Sequence, residues 1–290
     1  MWKAYLELLR PGQYLKNLLL FLPAFFALRI REPGLLLRTL AGFACFCLVA
    51  SAVYIFNDYL DREADRQHPR KQHRPLASGR VSPLYALLLM GLLLIFGVAG
   101  FWLLDPTAFY LISAYVFLNL LYSLRIKHVA IVDIFIISLG FLIRIGTGAT
   151  VAVPHIPVSM WLVLMIFLGA LFLALAKRRE DVVLALEGRE VRKAIDGYNL
   201  EFINGAMVIM ASVLTVSYIS YAISPEVQAR FGSHDLYLTV FFVLLGVLRY
   251  MQITFVEGKS GNPSRVFLSD RFLQLTILGW MITFAWLIYR

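Results

Sequence analysis

Long apolar runs alternate with shorter polar segments along nearly the whole chain. A helix that crosses a bilayer needs about 20 consecutive, mostly apolar residues. The first such run contains Pro23 and ends near Arg29, and proline is tolerated within membrane helices. Runs of this length predict nine membrane-spanning helices, at about 15–32, 36–56, 84–104, 107–124, 129–151, 158–176, 203–223, 236–252 and 272–289.

The composition supports this prediction of an integral membrane protein. Of the 290 residues, 60% are of apolar type and 16% are charged, whereas an average soluble domain is about half apolar and about a quarter charged. So high an apolar content excludes a soluble globular protein and a disordered one. We therefore expect an all-α membrane protein whose residues 1–290 form a single domain of about nine transmembrane helices.

The charge pattern predicts the orientation of the chain in the membrane. The net charge of +9 does not require a nucleic-acid partner, because cytoplasmic loops of membrane proteins are rich in Lys and Arg. With a cytoplasmic N-terminus, most of the 27 Lys and Arg residues fall on the cytoplasmic side. Two long charged segments, 57–83 and 177–202, lie on that side. We therefore expect a multi-pass protein of the plasma membrane with these two segments as cytoplasmic catalytic loops.

Three aspartates follow the second apolar run at helical spacing. Asp58, Asp61 and Asp65 are spaced i, i+3 and i+7, which puts them within about 60° on one face of a helix. Carboxylates so close together repel each other unless a cation lies among them, and Mg²⁺ prefers oxygen ligands combined with substrate phosphates. The pattern predicts a Mg²⁺ site with Asn57 beside it. A solvated helix end with ordinary surface carboxylates is the alternative.

A basic segment follows these aspartates directly. Four cations lie between positions 66 and 74. Arg and Lys bind phosphate oxygens directly, so an acidic helix followed by a basic segment is the pairing expected for a metal–diphosphate substrate. Lys71 and Arg74 are the candidate phosphate ligands here. Contact of the same cations with anionic lipid is the alternative.

Other cations could complete a phosphate site. Arg144 lies inside a predicted span, where a charged side chain is costly and normally faces a polar cavity or a partner. Structural ion pairing is the alternative for this residue. The remaining candidates lie at the cytoplasmic ends of predicted spans, where a role in anchoring stays open: Lys16 and Asn17 at the first span, Lys127 before the fifth, and Lys177 and Arg178 after the sixth.

The motifs together resemble a known family. Asn57-Asp58-x-x-Asp61-x-x-x-Asp65, followed by Arg74-Pro75-Leu76-x-x-Gly79, is similar to the first motif of the UbiA superfamily of membrane prenyltransferases, as are Tyr122-Ser123, Asp133, Gly140 and Arg144. This resemblance implies a helical bundle around a central cavity. It also implies a Mg²⁺-bound diphosphate, a substrate-binding role for Tyr122, and an opening on the lipid side for a polyprenyl chain.

Within that superfamily the chain most resembles the decaprenyl-phosphate phosphoribosyltransferases. The resemblance rests on Arg10-Pro11-x-Gln13-x-x-Lys16-Asn17, on the run from Asp65 to Pro75, and on Lys177-Arg178-Arg179-Glu180. Aromatic prenyltransferases of the superfamily usually carry a second Asp-x-x-x-Asp motif where this chain has the basic run, so Glu180 and Asp181 are not assigned to metal.

The resemblance implies a reaction and its partners. 5-Phosphoribose would pass from phosphoribosyl pyrophosphate to a polyprenyl phosphate, with Mg²⁺ as cofactor and the bilayer as surroundings. The oligomeric state, including a homo-oligomer, stays open, as does the length of the polyprenyl chain. Two other functions remain as alternatives: a prenyltransferase that moves a polyprenyl group from its diphosphate to an aromatic acceptor, and a transporter.

Overall fold

The computed structural model of the chain describes residues 2–67, 71–188 and 193–289, and the regular structure in these ranges is entirely helical. The chain divides into two compact units, Met1–Val158 and Ser159–Arg290. Each unit contains four helices long and apolar enough to cross a membrane, which makes eight such helices in the described residues. The predicted all-α membrane fold class is thereby confirmed.

Unit 1 contains the first six α-helices of the chain. They are α1 (Trp2–Leu9), α2 (Leu22–Phe26), α3 (Pro33–Gln67), α4 (Pro83–Leu104), α5 (Pro106–Leu124) and α6 (Val132–Val151), with 3-10 helices at Pro11–Phe21 and Ile126–His128. Proline opens α3, α4 and α5, where its missing N–H costs nothing because the first helical N–H groups have no intrahelical acceptor.

Unit 2 contains the other six α-helices. They are α7 (Met160–Leu186), α8 (Leu200–Ile223), α9 (Pro225–Phe231), α10 (Val240–Phe255), α11 (Pro263–Ser269) and α12 (Arg271–Tyr289), with 3-10 helices at Lys193–Gly197 and Asp235–Thr239. Polar side chains also join helices within this unit. Tyr218 on α8 accepts a hydrogen bond from Trp280 Nε1 on α12 at 2.6 Å and lies 2.8 Å from Thr239 Oγ1.

The first predicted span, 15–32, differs from the prediction. The 3-10 helix Pro11–Phe21 and the five-residue α2 occupy this stretch, and neither is a membrane-crossing α-helix by length and composition. Pro23 cannot donate a backbone hydrogen bond, and Leu28 takes a left-handed φ of 58°, which ends the helical run. The described residues therefore contain eight long membrane-crossing α-helices. The stretch still runs the length of unit 1, because Arg10 pairs with Asp58 at one end and Arg29 donates to the Pro154 carbonyl at the other.

The length of α3 explains why its acidic end leaves the membrane. With 35 residues, α3 is about 52 Å long at 1.5 Å per residue, whereas a bilayer core is about 30 Å thick. The excess falls at the C-terminal end, because the apolar run ends at Phe56. The residues from Asn57 to Gln67 thus extend the same helix into a polar environment.

Close packing holds α6 against the N-terminal segment in unit 1. Gly148 on α6 faces the backbone of Leu20, and a Cβ at Gly148 would overlap the Leu20 carbonyl. Leu20 in turn lies in a buried cluster with Phe46 and Val49 of α3 and Tyr115 of α5. Apolar burial alone does not drive helices together in lipid, so such small-residue contacts are what allow them to pack tightly.

Candidate active site

The acidic end of α3 carries the candidate metal ligands. Asp58 and Asp65 are buried, at 2% and 3% exposed, while Asp61 and Asn57 are half-buried. The helix rotates 100° per residue, so Asp65 lies about 20° from Asp58 around the axis and Asp61 about 60°. Because the carboxylates project in different directions, they form ion pairs with different cations.

Arg74 bridges two of the three carboxylates. Its Nη1 donates to Asp58 Oδ1 at 3.0 Å and to Asp65 Oδ2 at 2.7 Å. Arg74 reaches them because its segment folds back onto α3. Leu76, two residues later, is buried with Ile55 of α3, and the Arg74 N–H closes a turn onto the carbonyl oxygen of Lys71 at 2.9 Å.

Arg10 is a second partner of Asp58. Its Nη2 forms an ion pair with Asp58 Oδ1, and its guanidinium carbon lies 5.2 Å from the centre of the Tyr54 ring. Arg10 separates α1 from the 3-10 helix with a left-handed φ of 54°, a region that non-glycine residues seldom adopt. Arg10 is not among the predicted site residues, although it belongs to the motif that starts Arg10-Pro11.

Asp61 has different partners from the other two aspartates. Lys127 Nζ forms an ion pair with Asp61 Oδ1, and Asn57 Nδ2 donates to Asp61 Oδ2 at 3.1 Å. The Ser123 hydroxyl reaches Asn57 Oδ1 at 3.4 Å. The short 3-10 helix after α5 brings Lys127 to this position and buries it, at 6% exposed.

The three predicted metal ligands are thus divided between two sets of ion pairs. Among the described residues, no three His, Cys, Asp or Glu side chains converge as a metal-binding group. The donor chemistry nevertheless fits Mg²⁺, because the groups are carboxylate oxygens and because Asp58 and Asp65 already converge on one cationic nitrogen of Arg74. A divalent cation would compete with Arg74 and Arg10 for these oxygens.

Arg144 lies deeper in unit 1, away from these aspartates. It is buried, at 4% exposed. Its Nε donates to Asn17 Oδ1 at 3.0 Å, Nη1 to the Gly140 carbonyl at 2.8 Å, and Nη2 to the Tyr115 hydroxyl at 3.1 Å. The guanidinium also faces the rings of Phe46, Tyr115 and Phe141 at 5.1 to 5.3 Å. The structure therefore joins the predicted site residues Asn17 and Arg144 directly.

The remaining predicted residues of unit 1 lie near these groups in the chain. Lys71 is half-buried and shares the turn that holds Arg74. Tyr122 is half-buried in the last turn of α5, next to Ser123. Lys16, which is half-buried, precedes Asn17 in the 3-10 helix.

The basic run of unit 2 lies at the polar end of α7. Lys177 is exposed and Arg178 is buried, at 2% exposed. Arg178 Nη1 is 2.7 Å from Asp181 Oδ2. Arg179 donates to Asn204 Oδ1 at 3.0 Å and to the Thr254 carbonyl at 2.7 Å, so this side chain ties α7 to α8 and α10.

Glu180 contacts a glycine loop in unit 2. The Gly261 N–H donates to Glu180 Oε2, and a Cβ at Gly261 would overlap the carboxylate. Ser260 Oγ donates to the Ala176 carbonyl at 2.8 Å, which fixes the loop beside α7. Both carboxylates in the place of a second aspartate motif, Glu180 and Asp181, therefore have partners within the protein.

Three comparisons relate the chain to known proteins. The model of the UbiA prenyltransferase family matches residues 18–278. Decaprenyl-phosphate phosphoribosyltransferase of Mycolicibacterium smegmatis is 32% identical over 295 residues, covering 98% of this chain and 92% of the relative. The enzyme of the same name from Corynebacterium glutamicum is 30% identical over 290 residues, covering 98% and 86%.

The fold has a counterpart among solved structures. A UbiA homologue from Archaeoglobus fulgidus, bound to DMAPP and Mg²⁺, superposes with a TM-score of 0.71 at 17% identity. The match covers 97% of this chain and 99% of the homologue. At this identity the likeness concerns the fold.

Proposed function

The chain belongs to the UbiA prenyltransferase family, and we propose that it transfers 5-phosphoribose from phosphoribosyl pyrophosphate to a polyprenyl phosphate, releasing pyrophosphate. Relatives named as decaprenyl-phosphate phosphoribosyltransferases, which match almost the whole chain, support this reaction. The single observation that favours it over an aromatic prenyltransferase lies in unit 2. There, the basic run Lys177-Arg178-Arg179 stands where an aromatic prenyltransferase would carry a second Asp-x-x-x-Asp motif, so residue types that bind phosphate replace those that bind metal.

The acidic end of α3 binds the diphosphate end of the donor in this proposal. Asp58, Asp61 and Asp65 would hold Mg²⁺, which when bound neutralises negative charge on the departing pyrophosphate. Arg10 and Arg74 pair with Asp58 before the substrate binds, and their guanidinium groups are suited to phosphate oxygens. The other proposed substrate-binding residues are Lys16, Asn17, Asn57, Lys71, Tyr122, Lys127, Arg144, Lys177 and Arg178.

The reaction needs no strong general base. An oxygen of the acceptor phosphate, which is ionised at neutral pH, attacks C1 of the ribose. The bond between C1 and the pyrophosphate oxygen breaks, and its electron pair leaves with pyrophosphate. What the protein contributes is charge compensation and alignment, for which Arg74 and Lys127 are placed beside the carboxylates.

The apolar helices and the charge distribution support a proposal for the membrane location and orientation of the protein. Eight apolar helices indicate a multi-pass membrane protein. We propose that it lies in the plasma membrane with a cytoplasmic N-terminus, because this orientation puts most Lys and Arg residues on the inner side. The acidic end of α3 then faces the cytoplasm too, because Arg10, which follows α1, pairs with Asp58 at that end.

A transfer assay tests the proposed reaction. Protein purified in detergent is incubated with Mg²⁺, labelled phosphoribosyl pyrophosphate and a short polyprenyl phosphate. We expect label in the organic phase, one pyrophosphate per product, and loss of both with EDTA. If label stays in water while a polyprenyl diphosphate is consumed against 4-hydroxybenzoate, the protein is instead an aromatic prenyltransferase.

A variant in unit 2 tests whether Glu180 binds metal. We expect Glu180→Gln to leave the Mg²⁺ concentration for half-maximal transfer within about twofold of wild type, because an amide oxygen still accepts the Gly261 N–H. The Mg²⁺ dependence of the initial rate gives this concentration. An increase of about tenfold or more would place a metal at Glu180 and favour the aromatic prenyltransferase.

A further inference from the structure

We infer that Lys16 and Arg144, with Asn17 between them in the polar network, form a second anion site in unit 1 that binds a phosphate monoester. This site is distinct from the acidic end of α3. The identification of the ligand as a phosphate monoester rests on the proposed function. The requirement for an anion follows from the positive charges of Lys16 and Arg144.

Arg144 is a buried cation that has no carboxylate partner among the residues that the structure describes. Its three hydrogen bonds in the described part of the chain go to an amide oxygen, a backbone carbonyl and a hydroxyl, all of which are neutral. A guanidinium has five N–H donors, so two remain for another acceptor. Buried charges are normally paired because an isolated one loses its hydration. The aromatic rings around Arg144 offset only part of this loss.

Lys16 adds a second uncompensated cation. Its ammonium has no hydrogen-bond or ion-pair partner among residues 2–67, 71–188 and 193–289, and the charges of Arg144 and Arg10 both act on it. Two like charges repel, and a dianionic ligand that contacts both relieves the repulsion. Lys16 also precedes Asn17, whose Oδ1 orients Arg144 and whose Nδ2 donates to Cys47 Sγ at 3.2 Å.

The part of the second site formed by Asn17 and Arg144 lies away from the aspartates. Cys47 and Asp58 are both on α3, and the step of 11 positions from one to the other corresponds to about 16 Å along the helix axis. Lys16 lies in the 3-10 helix that follows Arg10, which pairs with Asp58, and contains Asn17, which accepts from Arg144. Lys16 is therefore placed between the diphosphate end and the interior of unit 1.

Both substrates of the proposed reaction carry a phosphate monoester. The donor has its 5-phosphate one ribose away from the diphosphate, and the acceptor has the phosphate that ends its lipid chain. Either group would bring a charge of about −2 at neutral pH to two cations that pair with no carboxylate within the described ranges. Three probes separate the two sources: Mg²⁺-pyrophosphate, phosphoribosyl pyrophosphate and a short polyprenyl phosphate.

The variant Lys16→Met tests the second site in the full-length protein in detergent. We expect its affinity for one monoester substrate to fall at least about tenfold, with Mg²⁺-pyrophosphate binding unchanged. Weaker binding of phosphoribosyl pyrophosphate would identify the donor 5-phosphate, and weaker binding of polyprenyl phosphate would identify the acceptor. Ligand-induced thermal stabilisation reports each affinity, and the KM of the same substrate should rise while kcat changes little.

Two further variants control this experiment. Lys3→Met removes an exposed lysine and should change none of the three affinities, whereas Lys16→Arg keeps the charge and should restore most of the lost affinity. Without ligand, Lys16→Met should be at least as stable as wild type, because it removes a repulsive charge. Unchanged affinity for both monoesters, or equal weakening of all three probes, would overturn the second site. Absence of transfer by wild type would overturn only the proposed function, because polyprenyl phosphate binding is measured separately.

Discussion

Replacing Asp61 with asparagine is expected to lower kcat/KM for phosphoribosyl transfer by about three orders of magnitude, or about 4 kcal/mol of transition-state stabilisation. Asparagine has the same shape and keeps one oxygen, which can still accept from Lys127, so only the hydrogen bond from Asn57 to the other oxygen is lost. What is lost is a negative charge from the proposed Mg²⁺ ligands, and a metal ion supplies several kcal/mol to such a reaction. Initial rates at saturating Mg²⁺ measure the effect.

Asp61 is a better choice for this test than Asp58. The Asp61 side chain is 20% exposed and that of Asp58 is 3% exposed, so the folded state should tolerate the change at Asp61 more easily. Thermal unfolding of the purified variant checks this expectation.

The matched control is Glu63→Gln on the same helix. Glu63 is exposed and pairs with Arg62 and Arg66 rather than with the site, and an exposed pair contributes little to stability. This variant should keep wild-type activity to within about twofold. If Asp61→Asn were as active as Glu63→Gln, Asp61 would not be a ligand of the proposed metal.

The sequence was sufficient to predict most of the architecture. Eight of the nine predicted spans correspond to long helices, because an apolar run of about 20 residues in lipid must satisfy its backbone groups internally. The prediction of a continuous α-helix over 15–32 was wrong because apolar content alone does not determine backbone conformation. There a 3-10 helix and a left-handed Leu28 replace a continuous α-helix.

The candidate site could be predicted only in part. Helical periodicity brought Asp58, Asp61 and Asp65 to one face, yet it did not show that their cations differ. Arg74 and Lys127 reach α3 through a loop and a 3-10 turn whose paths depend on tertiary packing. Arg10 is 48 residues from Asp58 in the chain, and its left-handed conformation has no signature that a span prediction would detect.

The ion pairs at α3 give Arg74 two opposing roles in the proposed reaction. Asp58 and Asp65 are buried and would repel each other without a cation between them, so Arg74 stabilises the fold before Mg²⁺ binds. The same contact occupies oxygens that the proposed metal needs. Substrate phosphates offer Arg74 an alternative partner, so donor and metal binding should favour each other.

Replacing Arg74 with methionine separates these roles. We expect kcat/KM for the donor to fall by about two orders of magnitude, because a charge-assisted contact to the diphosphate is lost. Without ligands the variant should also be less stable by about 2 kcal/mol. This is less than the loss of a fully buried ion pair, because Asp58 keeps Arg10 and the Arg74 side chain is 26% exposed.

The Arg74→Met substitution should strengthen the binding of Mg²⁺, although it weakens the binding of the donor. With the competing guanidinium gone, Mg²⁺ alone should bind more tightly, and it should raise the melting temperature of the variant more than that of wild type. Arg74→Lys keeps a positive charge, but an ammonium lacks the planar fork of a guanidinium, so it should recover only part of donor binding. Thermal unfolding with and without Mg²⁺ measures the difference. An equal Mg²⁺ shift in wild type and variant would mean that Arg74 and the metal do not compete for Asp58 and Asp65.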